Sequence, residues 1–289
     1  MTAVGATGSV VAVDIGGTKL AVGIVGPDGR IQDRRVVPTP RDRGADAVFD
    51  TLAAAIDDLG EGARHAHAVG VGCGGPMTRG GEAVSPLNIP AWRGFPLRAR
   101  LTEHCGLPVR IDNDAKALAR GEGWIGAAAD VRNFIAMVVS TGVGGGIVVD
   151  GRLLDGSDGN AGHVGHVIVE PDGAVCGCGA RGCVEAEASG TAIARITGSP
   201  PAVASPEVRA RTGRLVGRAI ASVANLLDLQ LAVVSGSVAL GYGEAFFAAA
   251  QAEIDARCRL DFSKGTRVVP GALSPDGPLV GAAAVALFA

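Results

Sequence analysis

The sequence has no block of like charges. Its 26 Lys and Arg nearly balance its 29 Asp and Glu, and the net charge is −3. That balance offers no acidic or basic tail and no cationic surface suited to nucleic acid, so no nucleic-acid partner is expected. No stretch of about 18 or more apolar residues lacks a charge or a turn signal, and no membrane span is expected. Residues Met1 to Ser9 contain no basic segment leading into an apolar core, which argues against a secretory signal. A cytoplasmic, reducing location follows as the expectation. There a disulfide framework is not expected from the six cysteines. Short-period repeats are also missing. What remains is a 289-residue chain, 47% hydrophobic and rich in Ala and Val. It is long enough for one large or two modest domains with a substantial core.

The 45 glycines fall at the ends of short Val/Ile runs, where strands turn. Ser9 to Ile15, Leu20 to Gly26 and Ile31 to Val37 read as three strands, the last two joined through Pro27-Asp28-Gly29-Arg30. A helix over Ala45 to Leu59, a strand over Ala68 to Gly72, a helix over Phe95 to His104, a strand over Val109 to Asp112 and a helix over Ala115 to Gly126 follow. The pattern then restarts with a hairpin, Asn133 to Val139 and Gly144 to Val149. A long helix over Pro206 to Leu227, a strand over Leu231 to Val234 and a helix after Gly241 complete the second unit. Two α/β domains are expected: a small one over residues 1–112 and a larger one over 113–280. The apolar segment Gly281 to Phe288 would return to the first as a helix.

Two glycine-rich turns carry candidate chemistry. In Asp14-Ile-Gly16-Gly17-Thr18-Lys19 the glycines let backbone N–H groups converge on an anion, and Thr18 and Lys19 add a hydroxyl and a charge. Asp14 suits Mg²⁺ or its waters. An ordinary hairpin with a surface lysine would read the same way. Ser140-Thr141-Gly142-Val143-Gly144-Gly145-Gly146 is a second such turn, and two of them facing each other would clamp a triphosphate. At the expected domain boundary, Asp114 is either a general base or the cap of the helix that follows. Three cysteines, Cys176, Cys178 and Cys183, cluster as metal ligands do, whereas Cys73, Cys105 and Cys258 read as small core residues.

These segments, in order, resemble the ROK family (repressors, open reading frames and kinases), its glucokinases above all. The resemblance rests on Asp14-x-Gly-Gly-Thr-Lys19, Pro86-Leu-Asn88-Ile-Pro-x-Trp92 and Asp112-Asn113-Asp114-Ala115. Thr141-Gly-x-Gly-Gly-Gly146, Ala161-Gly-x-x-Gly-His166 and Cys176-x-Cys178-Gly-x-x-Gly-Cys183-x-Glu185 complete it. It implies an actin-like (ribonuclease H-like), two-domain α/β ATPase fold that closes on its ligands, and usually a homodimer or homotetramer. It implies ATP-dependent phosphorylation of a hexose hydroxyl, with Asp114 as general base and Mg²⁺ as companion of the nucleotide. Nucleotide contacts fall on Asp14, Gly16, Gly17, Thr18, Lys19, Thr141, Gly142, Gly144, Gly236 and Ser237. Sugar contacts fall on Gly75, Asn88, Asn113, Asp114, His163, His166 and Glu185. A structural Zn²⁺ would be held by His166, Cys176, Cys178 and Cys183, a closed tetrahedral set.

Two positions depart from the family pattern. His163 stands where the glucokinases carry Glu, and a neutral imidazole offers one acceptor where a carboxylate offers two oxygens. Glucose is therefore one expected acceptor, and an amino sugar, mannose or a carbasugar the alternative. Ser235-Gly236-Ser237 replaces consecutive glycines near the nucleotide with small residues that still fit. The family's repressors carry a DNA-binding segment before the first turn, and only thirteen residues precede Asp14 here, which disfavours that role. A silent sugar sensor is disfavoured by Asp114, Lys19 and the two turns. Polyphosphate is an alternative phosphate donor.

Overall fold

The computed structural model describes residues 8–288. The first unit opens with a meander: β1 (Val10–Ile15), β2 (Lys19–Val25) and β3 (Ile31–Pro38). Helices α1 (Ala45–Asp57) and α2 (Glu61–Arg64) lead to β4 (Val69–Cys73), α3 (Leu97–Cys105) to β5 (Val109–Asn113), and α4 (Asp114–Trp124) follows at once. The sheet order is β3-β2-β1-β4-β5, antiparallel across the meander and parallel from β1 through β4 to β5.

β1 and β4 are buried almost throughout, as central strands covered on both faces must be. β3 alternates between half-buried and exposed residues, as an edge strand with one wet face does. Side chains of β1 divide accordingly. Val11, Val13 and Ile15 point into a core with Val48, Phe49 and Leu52 of α1 and Leu97 and Leu101 of α3. Val10 and Ala12 point to the opposite face, against Leu279, Ala282, Ala283 and Ala286 of the C-terminal helix α10 (Gly277–Leu287). That helix lies close because its partner surface is small: a Cβ on Gly70 of β4 would come 2.0 Å from the Ala282 carbonyl oxygen.

The second unit repeats the arrangement. β6 (Phe134–Val139), β7 (Val143–Val149) and the short β8 (Arg152–Leu153) form its meander. After α5 (Val184–Ala188), α6 (Gly190–Thr197) and α7 (Pro206–Leu227) come β9 (Leu231–Ser235), α8 (Ser237–Tyr242), α9 (Glu244–Arg257) and β10 (Arg267–Pro270). Its sheet runs β8-β7-β6-β9-β10, the same order as the first, with β9 and β10 parallel to β6. The core lies between this sheet and α7, α8 and α9.

The sequence reading ends the first domain at Asp112. In the structure the first compact unit continues to Gly126, and it also takes Asp155–Ala161 and the stretch from Leu273 onward. The reason is packing: α4 lies along α10 and β4, so it belongs with the sheet that launches it. The short elements β8, β10, α2, α5, α6 and α8 lie outside the sequence-based expectation, because their apolar periods are too brief to register. No helix among the described residues is long and apolar enough to cross a membrane.

Candidate active site and metal centre

In the first unit the sheet register brings the acidic residues together. Asp14 on β1 lies opposite Gly72 on β4, and Gly72 lies opposite Asp112 on β5. Gly72 has no side chain to separate its neighbours. A Cβ there would sit 3.6 Å from Asp114 Cα and 3.9 Å from Asp14 Oδ1. Asp14 and Asp114 are thus held on either side of a bare backbone. Burial and, after it, the Asp114 charge push the Asp14 carboxyl up from 3.8 to about 7, against a smaller opposing pull from Lys19.

The first glycine turn is closed by Gly16 N–H donating to Lys19 O at 3.0 Å. Thr39, absent from the sequence-based candidates, fastens it from outside. Its hydroxyl donates to Gly16 O at 2.7 Å, and its N–H donates to Thr18 O at 3.1 Å. Thr18 and Lys19 remain exposed. Gly17 abuts Asn88, where a Cβ would meet Asn88 Cβ at 2.6 Å, so the turn and Asn88 are in contact. Asn88 is carried on a loop anchored by Ile89 and Trp92, both fully buried. Trp92 stacks on Phe95 with ring centroids 4.4 Å apart and donates Nε1–H to Ala45 O. Arg93, also unforeseen, donates from Nη1 to the carbonyls of Pro86, Ile89 and Trp92.

The capping alternative for Asp114 resolves one residue earlier. Asn113 is the N-cap of α4, its Oδ1 accepting from Ala115 N at 3.0 Å and Lys116 N at 3.4 Å. Asp114 is the first residue of the helix, with Oδ1 accepting from Ala115 N at 2.8 Å. A Cβ on Gly75 would lie 3.7 Å from Asn113 Nδ2, which places that backbone beside the amide.

In the second unit the turn between β6 and β7 is shorter than the glycine run suggests. Ser140 N–H donates to Gly142 O, and β7 begins at Val143. Gly144 therefore lies within the strand, opposite Val138, and Ser140, Thr141 and Gly142 form the turn. The amide of Gly190 donates to Ser140 O, and the Thr191 hydroxyl to Thr141 O, so the start of α6 holds this tip. Ser140 Oγ and Ser237 Oγ are 2.9 Å apart. Between β9 and α8 the chain turns at Gly236 alone, with φ 99°, where a Cβ would clash with Val139 O at 2.4 Å.

Glu185 on α5 accepts from Val143 N at 2.9 Å through Oε2, so it braces the same turn. The loop bearing His163 and His166 presses onto β7. A Cβ on Gly165 would come 2.2 Å from Val143 O. The two imidazoles lie roughly parallel, 6.2 Å apart between centroids.

Ligand atoms of His166, Cys176, Cys178 and Cys183 all lie within 4.8 Å of one another. His166 Nδ1 is 3.7 Å from Cys176 Sγ, and Cys178 Sγ is 3.7 Å from Cys183 Sγ. Tetrahedral thiolates at a Zn–S distance near 2.3 Å sit about 3.8 Å apart, so the donor set fits zinc in both chemistry and span. His163 is not one of this group. Glu187, buried, ties the segment down by accepting from Ala174 N and from Arg211.

The ROK family model matches residues 10–288. The chain belongs to the ROK family. A relative described as N-acetylmannosamine kinase, from Citrobacter koseri, is 41% identical over 251 residues, covering 81% of this chain and 85% of that one. The crystal structure of a ROK hexokinase from Thermus thermophilus superposes with a TM-score of 0.81 at 32% identity, covering 96% and 97% of the two chains. A ROK glucokinase from Streptomyces griseus, solved with glucose and AMPPNP, gives 0.81 at 31%, covering 96% and 98%. The fold is accordingly the actin-like ATPase fold of ROK kinases, and the doubled sheet order is its mark.

The raised Asp14 carboxyl has a consequence for stability. Unfolded, this group ionises near 3.8; folded, it holds its proton to about 7. Stability contributed by the proton is lost as pH rises between those values and is flat above 7. Asp14→Asn removes the loss, so its stabilising effect in chemical denaturation is expected to grow by roughly 2–3 kcal/mol from about pH 5 to about pH 8. A difference independent of pH would show that Asp14 is not held in this state.

Proposed function

We propose that this protein is an ATP-dependent kinase that phosphorylates a hydroxyl of a hexose-like sugar, with an N-acylated amino sugar as preferred acceptor. The carrying observation is the pair Asp14 and Asp114 set on either side of Gly72, beside a glycine turn. Such chemistry needs a base for a poorly acidic hydroxyl and a second anionic group for the cation accompanying the triphosphate. Asp114 is the base. It stands at the N-terminus of α4, with Asn113 fixed next to it by capping and its Nδ2 left to donate to a neighbouring hydroxyl. Asp14 holds Mg²⁺ or its waters, and that ion, when bound, offsets charge on the phosphates.

Gly16, Gly17, Thr18 and Lys19 of the first turn cradle phosphates with backbone N–H groups, a hydroxyl and an ammonium. Thr141 and Gly142 do the same from the second turn, and Gly236 and Ser237 border the nucleotide. Gly75, Asn88 and Asn113 bind sugar hydroxyls from the first unit, and His163, His166 and Glu185 from the second. His166 serves twice: Nδ1 faces the thiols, which leaves Nε2 for a hydroxyl. The metal is structural zinc, closed by four protein ligands with no position for a reacting water.

Two observations favour the amino sugar. His163 replaces a carboxylate that would accept from two adjacent hydroxyls, and a relative 41% identical carries the name N-acetylmannosamine kinase. Glucose is the second reading, favoured by the likeness to the Streptomyces griseus glucokinase; mannose and carbasugars belong in the same screen.

Three outcomes are expected. Asp114→Asn lowers kcat by roughly 10²–10⁴ while sugar and nucleotide binding persist; a coupled ADP-release assay giving unchanged kcat would move the base elsewhere. Freshly purified protein, never exposed to chelator, carries one zinc per chain, and Cys178→Ser loses both the metal and thermal stability. Metal analysis without zinc in the wild type ends that assignment. Wild-type enzyme prefers N-acetylmannosamine to glucose, and His163→Glu shifts the ratio of kcat/KM toward glucose by roughly tenfold or more. A strong wild-type preference for glucose, unmoved by the substitution, would mean that position 163 does not read the sugar.

A further inference from the structure

Away from the two turns, the first unit holds a cavity of about 240 Å³. It lies along the free edge of β5, between α4, α3 and the end of α10. Its walls bring five cationic side chains, Arg79, Arg98, Arg110, Lys116 and Arg120, against two carboxylates, Asp112 and Asp155.

The cations are not equally engaged. Lys116, 2% exposed, is satisfied by Asp112 at 3.1 Å, Asp155 at 2.6 Å and the Gly159 carbonyl at 3.1 Å. Those contacts engage both acids of the wall, Asp112 through Oδ1 while its Oδ2 faces Arg120. Arg98 is shared with Glu82 and the Gly80 carbonyl. Arg110 gives one donor, to Ala286 O at 2.9 Å, out of the five a guanidinium has. Arg120 donates Nη1–H to Phe288 O, yet its buried Nε has no hydrogen-bond partner among the described residues, with Asp112 Oδ2 at 3.5 Å. Among the described residues Arg79 has no ion-pair partner, and it is exposed at the rim. A buried, unanswered guanidinium donor costs free energy unless an acceptor arrives.

We propose that this cavity is a binding site for a compact organic dianion, a phosphate monoester with a short carbon body. Guanidinium forks match phosphate oxygens in pairs, and the surplus of positive charge calls for more than one negative charge. Val285 and Phe288 supply an apolar wall for the carbon body. The volume corresponds to roughly eight waters, room for a phosphate group and a short carbon body. The proposal is independent of which reaction the protein catalyses.

Isothermal titration calorimetry of the full chain with glycerol 3-phosphate, and separately with inorganic phosphate, tests it. Glycerol 3-phosphate is expected to bind at about one site per chain, more tightly than inorganic phosphate because it also meets the apolar wall. Arg79→Gln with Arg110→Gln should weaken binding about tenfold or more, and Arg79→Gln alone, at an exposed and unbonded side chain, should weaken it measurably without touching the fold. Lys19→Ala, in the first glycine turn, should leave it unchanged. Binding lost in Lys19→Ala but kept in the arginine variants would assign the anion to the phosphate turn and overturn the proposal. So would the absence of heat from either ligand at about 10 mM.

Discussion

The candidate site depends on one close approach, the bare backbone of Gly72 between β1 and β5. Parallel strands in register place equivalent residues side by side about 4.8 Å apart. Asp14 on β1 and Asp114, just past the end of β5, are separated by β4, and a side chain at Gly72 of β4 would stand between the two carboxylates. With glycine between them they share a narrow space, and burial first, with the Asp114 charge adding to it, pushes the Asp14 carboxyl up to about 7. A divalent cation relieves that repulsion, so the same geometry that disfavours two charges in the free protein favours their joint ionisation around a cation.

The rest of the first unit serves this contact. α10 can cover the sheet face that carries Asp14 only because β4 offers Gly70 and α10 offers alanines. α4 begins directly at Asp114, and its packing on α10 fixes where that residue starts. The unit boundary therefore falls after α4: separating α4 from the sheet would separate Asp114 from Asp14.

Much of this was legible in the sequence, because local signals carried it. The two glycine turns, most strands and the long helices follow from short apolar runs and their punctuation. The metal quartet is confined to residues 166–183: the three cysteines cluster visibly, and the resemblance to the ROK family adds His166 to them. What could not be read depends on contacts between residues far apart in the chain. Thr39 reaches back to Gly16, and Arg93 gathers three carbonyls; neither has a local pattern that marks it. The shift of the cap from Asp114 to Asn113 is a matter of one residue in backbone conformation, since both types cap helices well. Gly72 looked like any small residue in a strand. The alternation Gly70-x-Gly72 in β4 was the available signal, as glycine inside a strand marks a close backbone approach.

The metal segment and the second turn form one mechanical unit. Cys183 is the N-cap residue of α5, and Glu185 follows within that helix's first turn. Glu185 Oε2 then accepts from Val143 N, at the base of the Thr141-Gly142 tip. A helix of five residues is too short to hold itself in water. Its direction must come from what fixes its start, and the thiolate of Cys183 is that fixed point once a metal is bound. On the far side, Glu187 and Arg211 attach the same helix to α7. The proposed zinc thus sets the orientation of Glu185, and through it the turn assigned to the nucleotide, without touching a reacting atom.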